Sequence, residues 1–143
     1  MSRGPSAERC RLIADVAVVA RGATLFVRYR DIERYDGEAG WFLPDDFLRH
    51  GEHPDRAARR ILKEQLGVSA RPALSFIESL DGEPWHLVFH YAIRFPGRPS
   101  VRAGPALRDA RWFSSRALPE RRDVAHGGWG LDVLRRIRAT SRR

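Results

Sequence analysis

The chain of 143 residues is poor in cysteine and methionine, with one of each, and it contains no long apolar run. The single cysteine, Cys10, excludes a disulfide-stapled secreted module, because one cysteine cannot form an internal disulfide. No apolar stretch approaches the roughly 20 residues of a membrane helix, and the first residues lack the apolar core of a signal peptide. We therefore expect one soluble domain in the cytoplasm.

Lysine is also nearly absent, since Lys63 is the only one among 26 basic residues and the others are arginine. The formal net charge is +8 and the sequence pI is about 11.0. Guanidinium groups pair bidentately with phosphates and stay charged at any relevant pH. This balance favours a phosphate-bearing partner, although an ordinary solvated surface explains the charge equally well.

Hydrophobic periodicity predicts a mixed sheet with helices packed on it, an α/β (α+β) fold. The strands are expected over residues 11–20, 24–30, 73–80, 85–95 and 109–113, with hairpins joining the first two and the next two. Helices are expected over 54–66, where Pro54 and Gly67 mark the ends, and over about 128–139. We assign a single domain to residues 11–139, with an N-terminal extension over 1–10 and a basic tail over 140–143.

Residues 40–68, GWFLPDDFLRHGEHPDRAARRILKEQLGV, resemble a Nudix box. The family's spacing is kept at Glu52, Arg60, Leu62, Glu64, Gly67 and Val68. Downstream, DARWF at 109–113 followed by Leu118-Pro119 is similar to the family's later strand and turn. The resemblance implies a mixed sheet sandwiched between helices. It also implies hydrolysis of a nucleoside diphosphate linked to another moiety, with Mg²⁺ or Mn²⁺ as cofactor.

The box departs from the family at the residues that collect metal. Asp45-Asp46 replaces a glycine pair, and Ile61 and Gln65 replace two of the three helix glutamates. Residues 61, 64 and 65 share one side of a helix, so that side holds one carboxylate, one amide and one aliphatic chain. Magnesium prefers hard oxygen ligands in near-octahedral geometry, so this loss bears directly on activity.

Two interpretations of this motif, which lacks two of the three helix glutamates, stay open. In the first, Asp46 returns a carboxylate and binds the metal with Glu64 and Gln65, while the resemblance implies catalytic roles for Glu64, Glu52 and Arg60. In the second, the protein is a catalytically inactive Nudix-fold domain that binds a phosphorylated ligand or a protein partner. Asp45-Asp46 is then a solvated turn.

Four further residues are candidates for substrate binding. Arg28 and Arg30 are expected on one face of the second strand, toward the opening of the box, where they could meet a diphosphate, or they are ordinary surface arginines. Trp41 could stack on a base or pack in the core, and His90 could act as a base or be a satisfied sheet histidine. The expected partner is a nucleotide or nucleotide sugar and not a membrane. Nucleic-acid binding ranks third because the basic residues are scattered, and a homodimer stays open.

Overall fold

The computed structural model describes residues 10–141. It contains two helices, six strands and two short 3-10 turns at Ile32–Tyr35 and Arg121–Asp123. The helices are α1 (Pro54–Leu66) and α2 (Ala125–Ser141). The strands are β1 (Cys10–Ala20), β2 (Ala23–Tyr29), β3 (Asp45–Phe47), β4 (Ala73–Leu80), β5 (Trp85–Phe95) and β6 (Leu107–Ser114). Residues 1–9 of the predicted extension over 1–10, and the last two arginines of the predicted tail over 140–143, lie outside the described residues.

The strands form one mixed sheet, as predicted. The order is β4-β5-β1-β2-β6, and β3 pairs with the first half of β1. The β1–β2 and β4–β5 hairpins are both present. β1 and β5 run parallel along their whole length, from Cys10 opposite Trp85 to Ala20 opposite Phe95. The sequence predicts a turn at Asp45-Asp46, whereas the structure has the strand β3 there, antiparallel to β1.

The central strand β1 is apolar on both sides because a helix covers each face of the sheet. On the face covered by α1, Ala14, Val16 and Val18 join one buried cluster. On the face covered by α2, Ala17 and Val19 join the other. Successive strand residues point to opposite faces, so this alternation fixes which side chains reach each helix. We call these the α1 face and the α2 face.

Helix α1 has the ends that its sequence predicts. Pro54 occupies the first turn, and the His53 ring accepts a hydrogen bond from the Asp55 amide at 3.0 Å. Gly67 ends the helix in the left-handed conformation with φ of 68°, which a glycine adopts without steric cost. The side facing the sheet carries Ala57, Ala58, Ile61, Leu62 and Leu66. This packing fixes the direction in which the motif residues between them point.

Helix α2 begins with an irregular turn. His126, Gly127 and Gly128 have φ values of 54°, 64° and 91°, and the regular helix follows. This irregular turn brings His126 against Phe42, with ring centroids 5.7 Å apart. Within residues 10–141, neither helix is long and apolar enough to cross a membrane.

Candidate functional site

Arg60 connects the loop before α1 to the helix itself. Its Nε and Nη2 donate to the two Glu52 carboxylate oxygens at 2.8 and 2.9 Å, a bidentate pair. Its Nη1 donates to Asp46 Oδ2 at 2.9 Å, and Nη2 also donates to the Phe47 carbonyl at 2.9 Å. The Arg60 side chain is only 10% exposed. The bond to Glu52 raises the pKa of Arg60 more than burial lowers it, and the same bond lowers the pKa of Glu52.

Asp46 and Glu64 converge on this guanidinium. Arg34 donates to Asp46 Oδ1 at 2.8 Å, so Asp46 is paired with two arginines. Glu64 Oε1 lies 3.6 Å from Arg60 Nη1, the same nitrogen that bonds Asp46. Glu64 is 49% exposed and also meets Arg49 at 3.2 Å. The two carboxylates proposed from the sequence to share a metal therefore share an arginine nitrogen.

Gln65 is turned into the protein. Its Oε1 accepts from the Tyr29 hydroxyl at 2.9 Å, and its Nε2 donates to the Asp45 carbonyl at 2.8 Å. The Tyr29 hydroxyl in turn accepts from the Asp45 amide at 2.8 Å. Burial raises the pKa of Tyr29 well above its usual value, so the hydroxyl keeps its proton. Ile61 is fully buried in the cluster of the α1 face.

These donors do not fit a resident divalent metal. Magnesium takes about six oxygen ligands, and most of the ligands proposed here already have other partners. Asp46 is neutralised by two guanidinium groups, the Gln65 oxygen is bonded to Tyr29, and Ile61 offers no donor. Glu64 alone keeps substantial exposure. Within the described chain, no group of three or more His, Cys, Asp or Glu side chains is arranged to hold a metal ion.

Two adjoining cavities open beside this cluster. The first, of about 470 Å³, lies next to α1 and is called the box groove. The second, of about 350 Å³, lies towards the α2 face and is called the aromatic cavity. The box groove is lined by Arg30, Arg34, Tyr35, Asp46, Glu64 and Gln65, among others. The aromatic cavity is lined by Arg34, Tyr35, Phe42, Phe47, Trp129 and the acids Asp36, Asp45, Asp46 and Glu78, among others.

The three shared residues, Arg34, Tyr35 and Asp46, join the two cavities. Arg34 lies in the 3-10 turn after β2, and its guanidinium is 5.4 Å from the Phe47 ring centroid. Tyr35 stacks on Tyr29 with centroids 3.7 Å apart. Burial raises the pKa of Tyr35 to about 12, so it stays neutral. A ligand with two chemically different ends can occupy the groove and the cavity together.

Asp45 is the acid of the aromatic cavity that lacks a partner. It is 8% exposed and lies opposite Asp15 in the β1–β3 pairing, on the α2 face. Its backbone is bonded to Tyr29 and Gln65, but no described residue donates a hydrogen bond to its carboxylate. Burial, followed by the charges of Asp15 and Asp46, raises the pKa of Asp45 well above its usual value.

His90 is held between two carboxylates below the same cavity. Its Nδ1 lies 2.7 Å from Asp15 Oδ1, and its Nε2 lies 2.9 Å from Glu78 Oε1. Burial lowers the pKa of His90, but the bonds and charges of Asp15 and Glu78 together raise it above its usual value. Burial likewise raises the pKa of Asp15 despite the His90 bond. His90 is fully buried, so it reaches a ligand only through Glu78.

The other substrate-binding candidates predicted from the sequence lie in different parts of the structure. Arg30 lines the box groove, as expected for a phosphate contact. Arg28 instead lies over the Trp41 ring at 4.1 Å, and its buried Nε has no hydrogen-bond partner among the described residues. Trp41 is 2% exposed and packs in the cluster of the α2 face. Neither Arg28 nor Trp41 lines the groove or the aromatic cavity. Arg28 and Arg30 do not serve one site as a pair, because the pairing of β2 with β6 shifts in register after Arg28 and the strand ends at Tyr29.

Sequence reasoning did not single out Arg34, Asp15 or Glu78. Asp15 carried a signal, because it is a lone acid within the apolar run LIADVAVVA and buried acids are rarely unpaired. Glu78 alternates with apolar neighbours in β4, so a sequence alone does not distinguish it from a solvated strand residue. The position of Arg34 in the site depends on the fold of a ten-residue loop, and that loop has no periodic pattern from which the position could be predicted.

Comparison with known proteins gives one family match. A family model of the NUDIX domain matches residues 11–131. No curated protein matches the sequence.

Several solved structures share the fold at low identity. A MutT NUDIX hydrolase from Burkholderia pseudomallei is 20% identical, with 90% of this chain and 98% of that chain covered and a TM-score of 0.73. The NUDIX domain of Shewanella oneidensis NrtR, complexed with ADP ribose, is 15% identical, with 96% and 92% covered and a TM-score of 0.74.

A third structure carries the same domain within a longer chain. It is a bifunctional NMN adenylyltransferase/ADP ribose pyrophosphatase from Francisella tularensis, complexed with AMP and a manganese ion. It is 20% identical, 73% of this chain and 34% of that chain are covered, and the TM-score is 0.58. At these identities the likeness concerns the fold.

Proposed function

The chain belongs to the Nudix domain family, and on that premise we propose that it binds a phosphorylated, nucleotide-like ligand across the box groove and the aromatic cavity. Hydrolysis assisted by a divalent metal is weak or absent. One observation carries the proposal: the motif acids are paired with arginines, while a groove that contains Arg30 and Arg34 opens directly into an aromatic cavity. We place this function in a single domain over residues 11–139.

The groove supplies the contacts for phosphate. Arg30 and Arg34 both line it, and guanidinium groups recognise phosphate oxygens through two parallel hydrogen bonds. Arg30 is exposed and forms no ion pair with a described residue, so its donors are available. Arg34 is bonded to Asp46 and can contribute charge without leaving that bond.

The cavity supplies the contacts for a ring. A volume of about 350 Å³ with aromatic walls is in the usual range for small-molecule sites. Phe42, Phe47 and Trp129 can cover a planar group, and the neighbouring acids can accept hydrogen bonds from it. The NrtR domain, which has the same fold, is complexed with ADP ribose, a ligand with phosphates between two polar ends.

The test is calorimetric binding of ADP-ribose and AMP to the full chain, with product analysis in the presence and absence of Mn²⁺. We expect saturable binding, a raised melting temperature and no product. Arg30→Gln should weaken binding about tenfold through loss of one charge-assisted contact. Arg116→Gln, which removes an exposed arginine outside both cavities, is the matched control and should bind normally. Absence of saturable binding for every phosphorylated probe would overturn the proposal.

A metal-dependent hydrolase is the second candidate, because Asp46 and Glu64 approach the same arginine nitrogen. Members of the Nudix family are hydrolases, so this activity is measured in the same experiment. If the chain forms product in proportion to added Mg²⁺ or Mn²⁺ and Glu64→Gln removes that activity, the hydrolase replaces the binding domain as the assignment. Turnover that persists in Glu64→Gln would point to a contaminating enzyme.

A further inference from the structure

The aromatic cavity is rich in acids although the protein is basic. The chain carries a formal net charge of +8, yet four carboxyl groups and a single guanidinium line this cavity. The carboxyl groups belong to Asp36, Asp45, Asp46 and Glu78. Three of them have partners, because Asp46 is bonded to two arginines, Asp36 lies 3.6 Å from Arg11, and Glu78 is bonded to His90.

The cations near the cavity are already occupied. Arg34, the guanidinium in the lining, is bonded to Asp46. His126 Nε2 lies 3.0 Å from Asp36, whose other oxygen is 3.6 Å from Arg11. His86, the second histidine in the lining, has its Nδ1 2.9 Å from the carbonyl of Pro84.

Glu78 is held in the wall by two groups. His90 bonds its Oε1 at 2.9 Å, and the Trp129 indole donates to the same oxygen at 3.3 Å. The side chain keeps 25% exposure on the cavity side. His90 also bonds Asp15, so one ring serves two acids.

Asp45 supplies the independent observation. The residue is 8% exposed and lines the cavity, and its side chain has no hydrogen-bond partner or ion pair among the described residues. A buried carboxyl without a partner costs free energy, so such a group marks a place where something else supplies the donor. The partner has to come from the cavity, since the other side of β3 faces α1.

We propose that the aromatic cavity binds a planar head group that carries a positive charge, an inference that rests on the proposed function. The positive charge pairs with Asp45, and the planar group stacks on the aromatic walls. The natural ligand is then cationic at this end and anionic at the phosphate end in the box groove. A cation already lies beside aromatic rings in this cavity, because the Arg34 guanidinium is 5.4 Å from the Phe47 ring centroid and 6.0 Å from the Tyr35 ring centroid. Cations are attracted to the faces of aromatic rings, most strongly where water is excluded.

The experiment compares nucleotides that differ in ring charge. Binding of N7-methylguanosine monophosphate, whose base is cationic, is measured by calorimetry against O6-methylguanosine monophosphate, whose base is neutral and carries the same number of methyl groups. We expect the cationic nucleotide to bind at least about tenfold more tightly, the effect of one hydrogen bond to a charged group. Equal affinities, or tighter binding of the neutral nucleotide, would overturn the assignment of charge and leave nucleotide binding itself intact.

Two variants locate the effect. Asp45→Asn should reduce the affinity ratio of the two nucleotides to near one, and Asp81→Asn, which removes an acid from an exposed turn, should preserve it. If Asp45→Asn does not fold, Glu78→Gln replaces it and should reduce the ratio at least threefold. An unchanged ratio in the folded variant contradicts the proposal.

A probe without phosphate separates this proposal from the proposed function. The 1-methylnicotinamide cation and neutral nicotinamide are titrated into the protein and followed by NMR, with the indole signal of Trp129 as the reporter. Shifts for the cation alone support the cavity even if no phosphorylated probe binds. If neither ring perturbs Trp129 while both nucleotides bind, the phosphate groove stands and the cationic cavity is rejected.

Discussion

The two adjacent aspartates of β3 have different surroundings on the two faces of the sheet. On the α1 face, Asp46 is bonded to Arg60, as Glu52 is. On the α2 face, Asp15 and Glu78 are bonded to His90, but Asp45, which is 8% exposed, has no partner among the described residues. Acids with partners within the chain stabilise the fold, whereas a buried acid without one destabilises it until a ligand arrives. Asp46 and Glu52 therefore stabilise the fold, and Asp45 is available to bind a ligand.

The largest expected effect comes from Arg60. Arg60→Met should lower the free energy of unfolding by about 3–5 kcal/mol, because it leaves Glu52 as a partly buried charge without its bidentate partner and leaves Asp46 with Arg34 alone. Urea denaturation followed by tryptophan fluorescence measures the loss. Arg49→Met breaks only an exposed pair with Glu64 and should cost no more than about 1 kcal/mol. Equal losses in the two variants would show that the α1-face acids are not held as described.

Adjacent aspartates should respond in opposite directions. Asp46→Asn removes a carboxylate that accepts from two guanidinium groups, and we expect a loss of about 1.5–3 kcal/mol in unfolding free energy. Asp45→Asn removes a buried carboxyl that has no bond and lies near Asp15, so stability should stay level or rise by up to about 1 kcal/mol. Denaturation of both variants at the same pH tests the comparison directly. A loss for Asp45→Asn as large as that for Asp46→Asn would contradict it.

Tyr29 links the two faces through the backbone of Asp45. Tyr29→Phe should cost about 1–2 kcal/mol, because the Asp45 amide and the Gln65 carbonyl oxygen lose their partner in a buried setting. Thermal unfolding by circular dichroism measures the change. Tyr35→Phe serves as the control, since the Tyr35 hydroxyl interacts with the side chain of Arg34 and, among the described residues, has no hydrogen bond to the backbone of β3. If Tyr29→Phe leaves the stability unchanged, a water molecule replaces the hydroxyl group as the hydrogen-bond partner.

The smallest effect is a pH dependence from His90. Its pKa is raised in the folded state, so the stability that its proton contributes is fully present below about pH 6.5 and is lost as the pH rises through the folded pKa. The raised pKa of Asp15 also makes the unfolding free energy fall as the pH rises, but over a lower pH range. Above pH 6.5 the unfolding free energy should therefore fall by up to about 1.4 kcal/mol per pH unit. His90→Gln should flatten that slope, and His50→Gln, at an exposed site, should not.

Much of the fold follows from local patterns. The boundaries of α1 coincide with Pro54 and Gly67, because these residues act through backbone geometry that needs no distant contact. β1 is recognisable from its run of apolar residues, since a strand covered on both faces has little room for polar side chains. The strand β3 was not predicted, because Asp45-Asp46 follows a proline and has the composition of a turn. Its strand conformation depends on pairing with β1, about 30 residues earlier in the chain.

The site was predicted less completely than the fold. Arg60 and Glu64 lie one turn apart, so the helix alone brings them together, whereas the pairing of Glu52 with Arg60 depends on the loop before α1. The sequence does not show that Arg34 approaches Asp46, because that contact depends on a loop without periodicity. It also cannot show which carboxylates find an arginine when 25 arginines are available, since each pairing depends on tertiary distances.

β3 contains only three residues, and its alternation sends Asp45 to one side of the sheet and Asp46 to the other. A single peptide unit therefore joins the carboxyl group without a described partner to the carboxylate that is bonded to Arg34 and Arg60. Because that unit is held in the ladder with β1, the distance between the two side chains is set by the backbone of the sheet. The box groove and the aromatic cavity consequently keep a fixed spacing, which limits the length of a molecule that can reach both.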